Sequence, residues 1–237
     1  MKKYTYGFTV VELAVVISVI AILASISVVA YNGVQKEAAK SATLSDTSAS
    51  FKKIELAKGN NDGAFPASVT DCPTPASGNI CLPTDASNQI IYNTIPKNTY
   101  SPSAPIKPGY EIASLNSRQF SYVAQVEQTG SNEFLRFADF APYVDKYGLV
   151  EYKLSFDIKS ANIANRSTVS VYFQNGGGAR YSFGTSVPVT TSFVRQTVLF
   201  TPTVSNLSVA TSHLAFYGTY GTGNISTVKN VTLELAN

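Results

Sequence analysis

The sequence predicts an α+β fold: a long, partly membrane-spanning N-terminal α-helix, a small loop-rich head segment, and an antiparallel β-sandwich. Three observations carry this. Residues 8–31, FTVVELAVVISVIAILASISVVAY, form an apolar run with a single charge. Pro occurs at 66, 73, 75, 83, 96, 102, 105 and 108, which breaks up long elements there. From about Tyr110 the pattern becomes period two, with turn clusters between short runs. The chain divides accordingly into a basic segment 1–7, a helix 8–58 (8–31 membrane-spanning), a loop-rich part 59–110 and a sandwich 111–237.

As a helix, residues 8–31 span about 36 Å, enough to cross a bilayer. Lys2 and Lys3 before the run favour a cytoplasmic N-terminus. A secretory signal is the alternative, with Ala21, Ala24 and Ser25 able to imitate its cleavage site. Its apolar core would be shorter than this run. Glu12 argues against a plain anchor, because a carboxylate within an apolar span costs about 2–3.5 kcal/mol on insertion scales. If the chain were cut after Gly7, Phe8 would become the N-terminus and Glu12 would lie four residues on, on the same helix face. The carboxylate would then sit near the positive end of the helix and could answer a neighbouring chain's ammonium.

The run G-F-T-V-V-E-L, residues 7–13, resembles the processing motif of type IV prepilins. The resemblance implies cleavage between Gly7 and Phe8 by a prepilin peptidase/methyltransferase, N-methylation of Phe8, and pairing of Glu12 with a neighbouring subunit's N-terminus. Residues 1–7 are then a leader peptide. The implied function is a type IV pilus or pilus-like subunit, held in the membrane as a precursor and assembled with other pilin subunits into an extracellular filament. A pseudopilin or minor pilin of a secretion or DNA-uptake system is the alternative. Many pilins carry a helix-breaking Pro or Gly midway along the apolar helix. Here none lies between Phe8 and Asn32, and Gly33 is the first candidate break.

Residues 34–58 continue the helix in polar form. Val34, Ala38, Leu44, Phe51 and Ile54 fall near one face, expected to pack on the protein's own head. Gly59-Asn60-Asn61-Asp62-Gly63 ends the helix. Cys72 and Cys81 read as one short disulfide in an exported protein, or as two free thiols in a reducing compartment. Strands are expected at Gln89–Ile95 and Tyr110–Ala113, and the region resembles the loop and small sheet with which pilin heads cover the helix.

In Val150–Ile158 apolar and polar residues alternate, as they do in 169–174. Further strands are expected at Phe120–Val126, Phe193–Phe200, His213–Tyr217 and Val228–Leu235, with no helix between them. The runs YKLSFDIKSAN (152–162), VSVYFQNGGGARYSF (169–183) and TTSFVRQTVLF (190–200) resemble jelly-roll carbohydrate-binding modules. The resemblance implies surface glycans as partners, with Tyr172, Gln174, Arg180, Tyr181 and Tyr217 as candidate ligand-binding residues. The alternative role for these tyrosines is covering sheet faces or making subunit contacts. No Trp is available for sugar stacking.

The chain is 14% charged with net charge +3 and no basic tract, so nothing points to nucleic acid. One His, His213, and two Cys make no zinc set. Gly176-Gly177-Gly178 is a turn without the strand-to-helix setting of a phosphate loop. No cofactor or enzymatic activity is expected. Asp139, Asp145 and Asp157 could hold a structural Ca²⁺, but their spacing does not define a site.

Overall fold

The computed structural model describes residues 7–69, 72, 74–82, 88–95, 109–130, 134–137, 140–161, 163–164, 167–174, 180–203, 213–217 and 226–236. Residues 1–6, which belong to the expected leader, Asp139 and residues 176–178, expected to form a turn, lie outside them.

The first element, α1, runs unbroken from Val10 to Gly59. Gly33 does not interrupt it, having helical hydrogen bonding on both sides. Thr9 caps its start, and Asn60 donates back to Leu56 and Ala57 carbonyls at its end. Asp62 and Gly63 turn the chain away at φ of 49° and 82°. Gly63 takes this left-handed conformation without the Cβ cost other residues carry.

Among the described residues ten strands and one short helix follow: β1 Gln89–Ile95, β2 Gly109–Leu115, β3 Phe120–Gly130, β4 Phe134–Phe137, α2 Ala141–Tyr147, β5 Tyr152–Ser160, β6 Thr168–Gln174, β7 Arg180–Pro188, β8 Val194–Phe200, β9 His213–Tyr217 and β10 Ser226–Leu235. They form two antiparallel sheets, ordered β1-β2-β3-β10-β5-β8 and β4-β9-β6-β7. Taken from β3 to β10 as eight strands, these orders are first-eighth-third-sixth and second-seventh-fourth-fifth. That interleaving is the two-Greek-key connectivity of a jelly roll.

The hairpin β1–β2 extends the first sheet beyond the jelly roll. β2 pairs with β1 on one side and with β3 on the other. The six-stranded sheet therefore serves two cores, one on each face. Ala113, Leu115, Phe120, Tyr122, Leu154, Phe156, Val231 and Leu233 face the second sheet and α2. Phe156 meets Phe216 edge-on at 4.7 Å between ring centres, and Phe120 stacks on Tyr143 at 4.8 Å. A fully buried Phe contributes about 2–3 kcal/mol of apolar transfer energy. On the opposite face Tyr110 and Ile112 pack with Ile54, Phe51, Phe65, Ile80 and Leu82. This second core fixes the C-terminal half of α1 along β2.

Three expectations are corrected. The face of α1 that is buried comprises Thr43, Thr47, Ser50 and Ile54, whereas Val34, Ala38 and Leu44 are exposed. Small side chains let the sheet approach closely. The Thr hydroxyls donate to Lys40 O at 2.9 Å and Thr43 O at 2.7 Å, so burying them leaves no orphan. A helix does intervene among the sandwich strands: α2, with Pro142 in its first turn, plugs one end with Tyr143, Val144 and Tyr147. Val150 precedes β5 and stands exposed.

Cys72 and Cys81 are joined in a disulfide, with Cα atoms 5.1 Å apart. It pins the loop whose Val69 and Ile80 pack over the second core. Chain-entropy arithmetic for so short a loop gives about 3 kcal/mol.

Candidate functional site

Every large apolar side chain from Phe8 to Val34 is exposed, and the segment is long and apolar enough to cross a bilayer. Burial begins only where the head reaches the helix, at Thr43. The chain thus presents a continuous apolar rod that its own head leaves bare.

At the tip of this rod Phe8 is 87% exposed. Thr9 and Glu12 form a reciprocal capping box. Glu12 N donates to Thr9 Oγ1 at 3.2 Å, and Thr9 N and Oγ1 both donate to Glu12 Oε2 at 2.8 Å. Sequence reasoning passed over this second use of Glu12. Its signal is plain in T-V-V-E, residues 9–12, a Thr followed three positions later by Glu. The carboxylate therefore satisfies, through Oε2, the backbone N–H and the hydroxyl of Thr9 at the helix start within its own chain.

The candidate ligand-binding residues fall on the four-stranded sheet. In the backbone register Tyr172 of β6 pairs with Gly184 of β7 and Ala215 of β9. Gln174 pairs with Arg180 and with His213, and Tyr217 pairs with Ser170. A register shift between Phe173 and Gln174 brings Gln174 opposite Arg180 rather than Ser182. Tyr172 is half-buried, on the strand face opposite the buried Val171 and Phe173. Backbone pairing thus joins Gln174 to Arg180 and sets Tyr172 and Tyr217 on adjacent strands. Tyr181 neighbours Arg180 in β7, with no pairing of its own.

Of the carboxylates considered for Ca²⁺, Asp157 is committed elsewhere. It accepts from Asn230 Nδ2 at 2.6 Å and from Arg195 Nη1 at 3.1 Å. Arg195 also donates to Asn230 O at 2.8 Å, bracing the irregularity in β10 where Asn230 has φ of 52°. Among the described residues no group of His, Cys, Asp and Glu is arranged to hold a metal.

Four tyrosines of the two cores resist ionisation because burial disfavours the phenolate. Tyr92, which donates to Pro66 O at 2.7 Å, is pushed up to about 12. Tyr110, Tyr147 and Tyr152 are raised further by the same desolvation, with Glu55 adding to the effect at Tyr110 and Asp145 at Tyr152. These are structural groups rather than a reactive set.

No family model matches the chain. A type IV major fimbrial protein, FimA of Dichelobacter nodosus, is 33% identical over 113 residues, covering 47% of this chain and 64% of that protein. The match thus spans less than two thirds of that relative's length. Among solved structures, a CBM4 domain aligns with 61% of the chain and 86% of its own length, at 13% identity and a TM-score of 0.32. The N-terminal cellulose-binding domain of Cellulomonas fimi β-1,4-glucanase C aligns with 56% of the chain and 84% of its own length, at 15% identity and a TM-score of 0.32. The C-terminal CBM6 of LamC from Zobellia galactanivorans covers 62% and 99%, at 12% and 0.29. In its long apolar N-terminal helix and in part of its sequence the chain is similar to a type IV fimbrial subunit.

Proposed function

We propose that this protein is a filament subunit: a membrane-held precursor whose α1 packs with the α1 helices of other copies once the leader is removed after Gly7. The observation that supports this most is the bare helix. Among the described residues nothing covers its apolar segment from Phe8 to Val34, while the half beyond Ala39 is held by the head. Leaving that surface in water would cost tens of kcal/mol at about 25 cal/mol per Å². A bilayer before assembly and a helical bundle after it both remove the cost. In the bundle the Glu12 carboxylate faces the α-ammonium of a neighbour's Phe8.

Glu12→Gln tests the pairing role more sharply than truncation. Gln at this position keeps the capping box with Thr9 and removes only the charge. The precursor should insert as well as the parent or better, since a charge leaves the apolar layer. Filament yield should fall at least tenfold. A parental yield from Glu12→Gln as the only subunit would refute charge pairing.

A second reading concerns the head. The four-stranded sheet pairs Tyr172 with two small residues, Gly184 and Ala215, and the exposed part of this half-buried ring favours display of an aromatic surface toward glycans. Weak single-site binding would be multiplied along a filament. A pilin-like component of a secretion or DNA-uptake machine, with no ligand, is the alternative to this second reading.

A further inference from the structure

Outside α1, the large apolar side chains exposed among the described residues are Leu149, Val150, Ile163 and Leu199. Three of these gather at one place. Leu199 pairs with Lys153, Tyr152 pairs with Phe200, and Leu149 and Val150 lead into β5 just before Tyr152. They are 46%, 42% and 56% exposed, for Leu149, Val150 and Leu199 respectively.

That place has a defined position relative to the helix. The register carries one row across the sheet: Leu115 to Phe120, beside the Ser121–Glu234 pair, then Leu235 to Tyr152 and Tyr152 to Phe200. At the near end of the row, Asn116 Nδ2 donates to Ala39 O of α1 at 3.0 Å. Further along α1, Phe51 and Ile54 meet Tyr110, at the other end of β2. The helix therefore climbs along β2 from Leu115 toward Tyr110. The exposed trio lies at the sheet end that faces back toward the apolar segment.

Distances set what this corner can touch. The apolar run closes at Tyr31, an aromatic suited to the bilayer interface. Ala39 stands eight residues beyond, about 12 Å along the axis. From β2 to β8 is four strand spacings, about 19 Å sideways. With the common helix tilt of about 20°, a corner displaced 19 Å sideways drops by roughly 6 Å. It then lies roughly 5 Å above the level of Tyr31, within the headgroup layer.

We propose that, in the precursor, the corner formed by Leu149, Val150 and Leu199 rests in the headgroup layer of the bilayer and sets the tilt of α1. This rests on the reading of α1 as membrane-spanning. Lys146 and Arg118 are exposed at the same end and can meet lipid phosphates, while the apolar trio enters the boundary below them. A tilt-setting contact costs little to break, so the head can lift away when α1 leaves the bilayer for a filament.

The absence of Trp from the chain makes the test clean. Three single-Trp variants of the full chain, Val150→Trp, Ser192→Trp and Ile20→Trp, are placed in vesicles of three parts phosphatidylcholine to one part phosphatidylglycerol. Emission is read with and without lipids bearing a nitroxide near the headgroup. Ser192 is exposed seven residues from Leu199, beyond the opposite end of β8. The expected result is a Val150→Trp emission blue-shifted by about 10 nm and quenched at least twofold, with Ser192→Trp unaffected. Val150→Trp behaving like Ser192→Trp, while Ile20→Trp shows insertion, overturns the proposal and leaves the spanning helix intact. A Val150→Trp shift that follows the protein-to-lipid ratio and ignores the nitroxide assigns the corner to a second copy, and also overturns it. An Ile20→Trp emission typical of water would remove the spanning helix itself.

Discussion

Asn116 joins three parts of the molecule, and its replacement gives a prediction with a magnitude. The residue is buried in the β2–β3 turn. Its Oδ1 accepts from Arg118 N at 2.9 Å and Gln119 N at 2.8 Å, and its Nδ2 donates to Ala39 O of α1. Its own carbonyl accepts from Tyr147 of α2 at 2.8 Å. Asn116→Ala leaves the buried Gln119 N–H without its acceptor, at about 1–3 kcal/mol, and removes the link to α1, worth about 1 kcal/mol. The Arg118 N–H can turn to water. The total is about 3 kcal/mol, or about 6–12 °C in Tm for a chain of this size. Asn116→Asp keeps both acceptor bonds but buries a carboxylate and turns one of its oxygens on Ala39 O, so it should cost at least as much as Asn116→Ala. Near-ultraviolet circular dichroism of the detergent-solubilised chain reads the packed tyrosines rather than the detergent-held helix. A Tm for Asn116→Ala within 2 °C of the parent would refute the reasoning.

Two further predictions concern tyrosines. Tyr92, Tyr110, Tyr147 and Tyr152 have raised folded-state pKa values, so the unfolded chain releases these protons first, near pH 10. Stability should be fully present below pH 10 and drain away between about pH 10 and 12, and a 295 nm titration should show four tyrosines ionising only with unfolding. All 14 titrating together near pH 10 in folded protein would contradict this. Tyr172→Ala should abolish any signal in a glycan screen and move Tm by less than about 2 °C, because the ring lies opposite Val171 and Phe173. A fall of many degrees would make Tyr172 a packing residue.

The elements that were legible in the sequence were those whose pattern a single face explains. The apolar run of α1 declares itself by length, and β5, β6, β8 and β10 by alternation. The head-facing side of α1 was misread because its contact residues are Thr43, Thr47 and Ser50, polar by composition and buried by size. The helix α2 was missed because its seven residues carry too few turns for periodicity. Pro142 followed by Tyr143, Val144 and Tyr147 was the available signal. The four-residue β4 offered none. Pairing across sheets, such as β10 between β3 and β5, is long-range and leaves no local trace. At the helix tip the cost of Glu12 was legible, while its capping role with Thr9 was legible and overlooked.

The most direct test of the filament account is the mass of the chain in material sheared from cells that carry it as their only subunit of this kind. Intact-mass and N-terminal peptide spectrometry should find a chain beginning at Phe8, bearing one added methyl group, in filaments visible by microscopy. A chain beginning at Met1, or at a site after Ala24, would contradict the account.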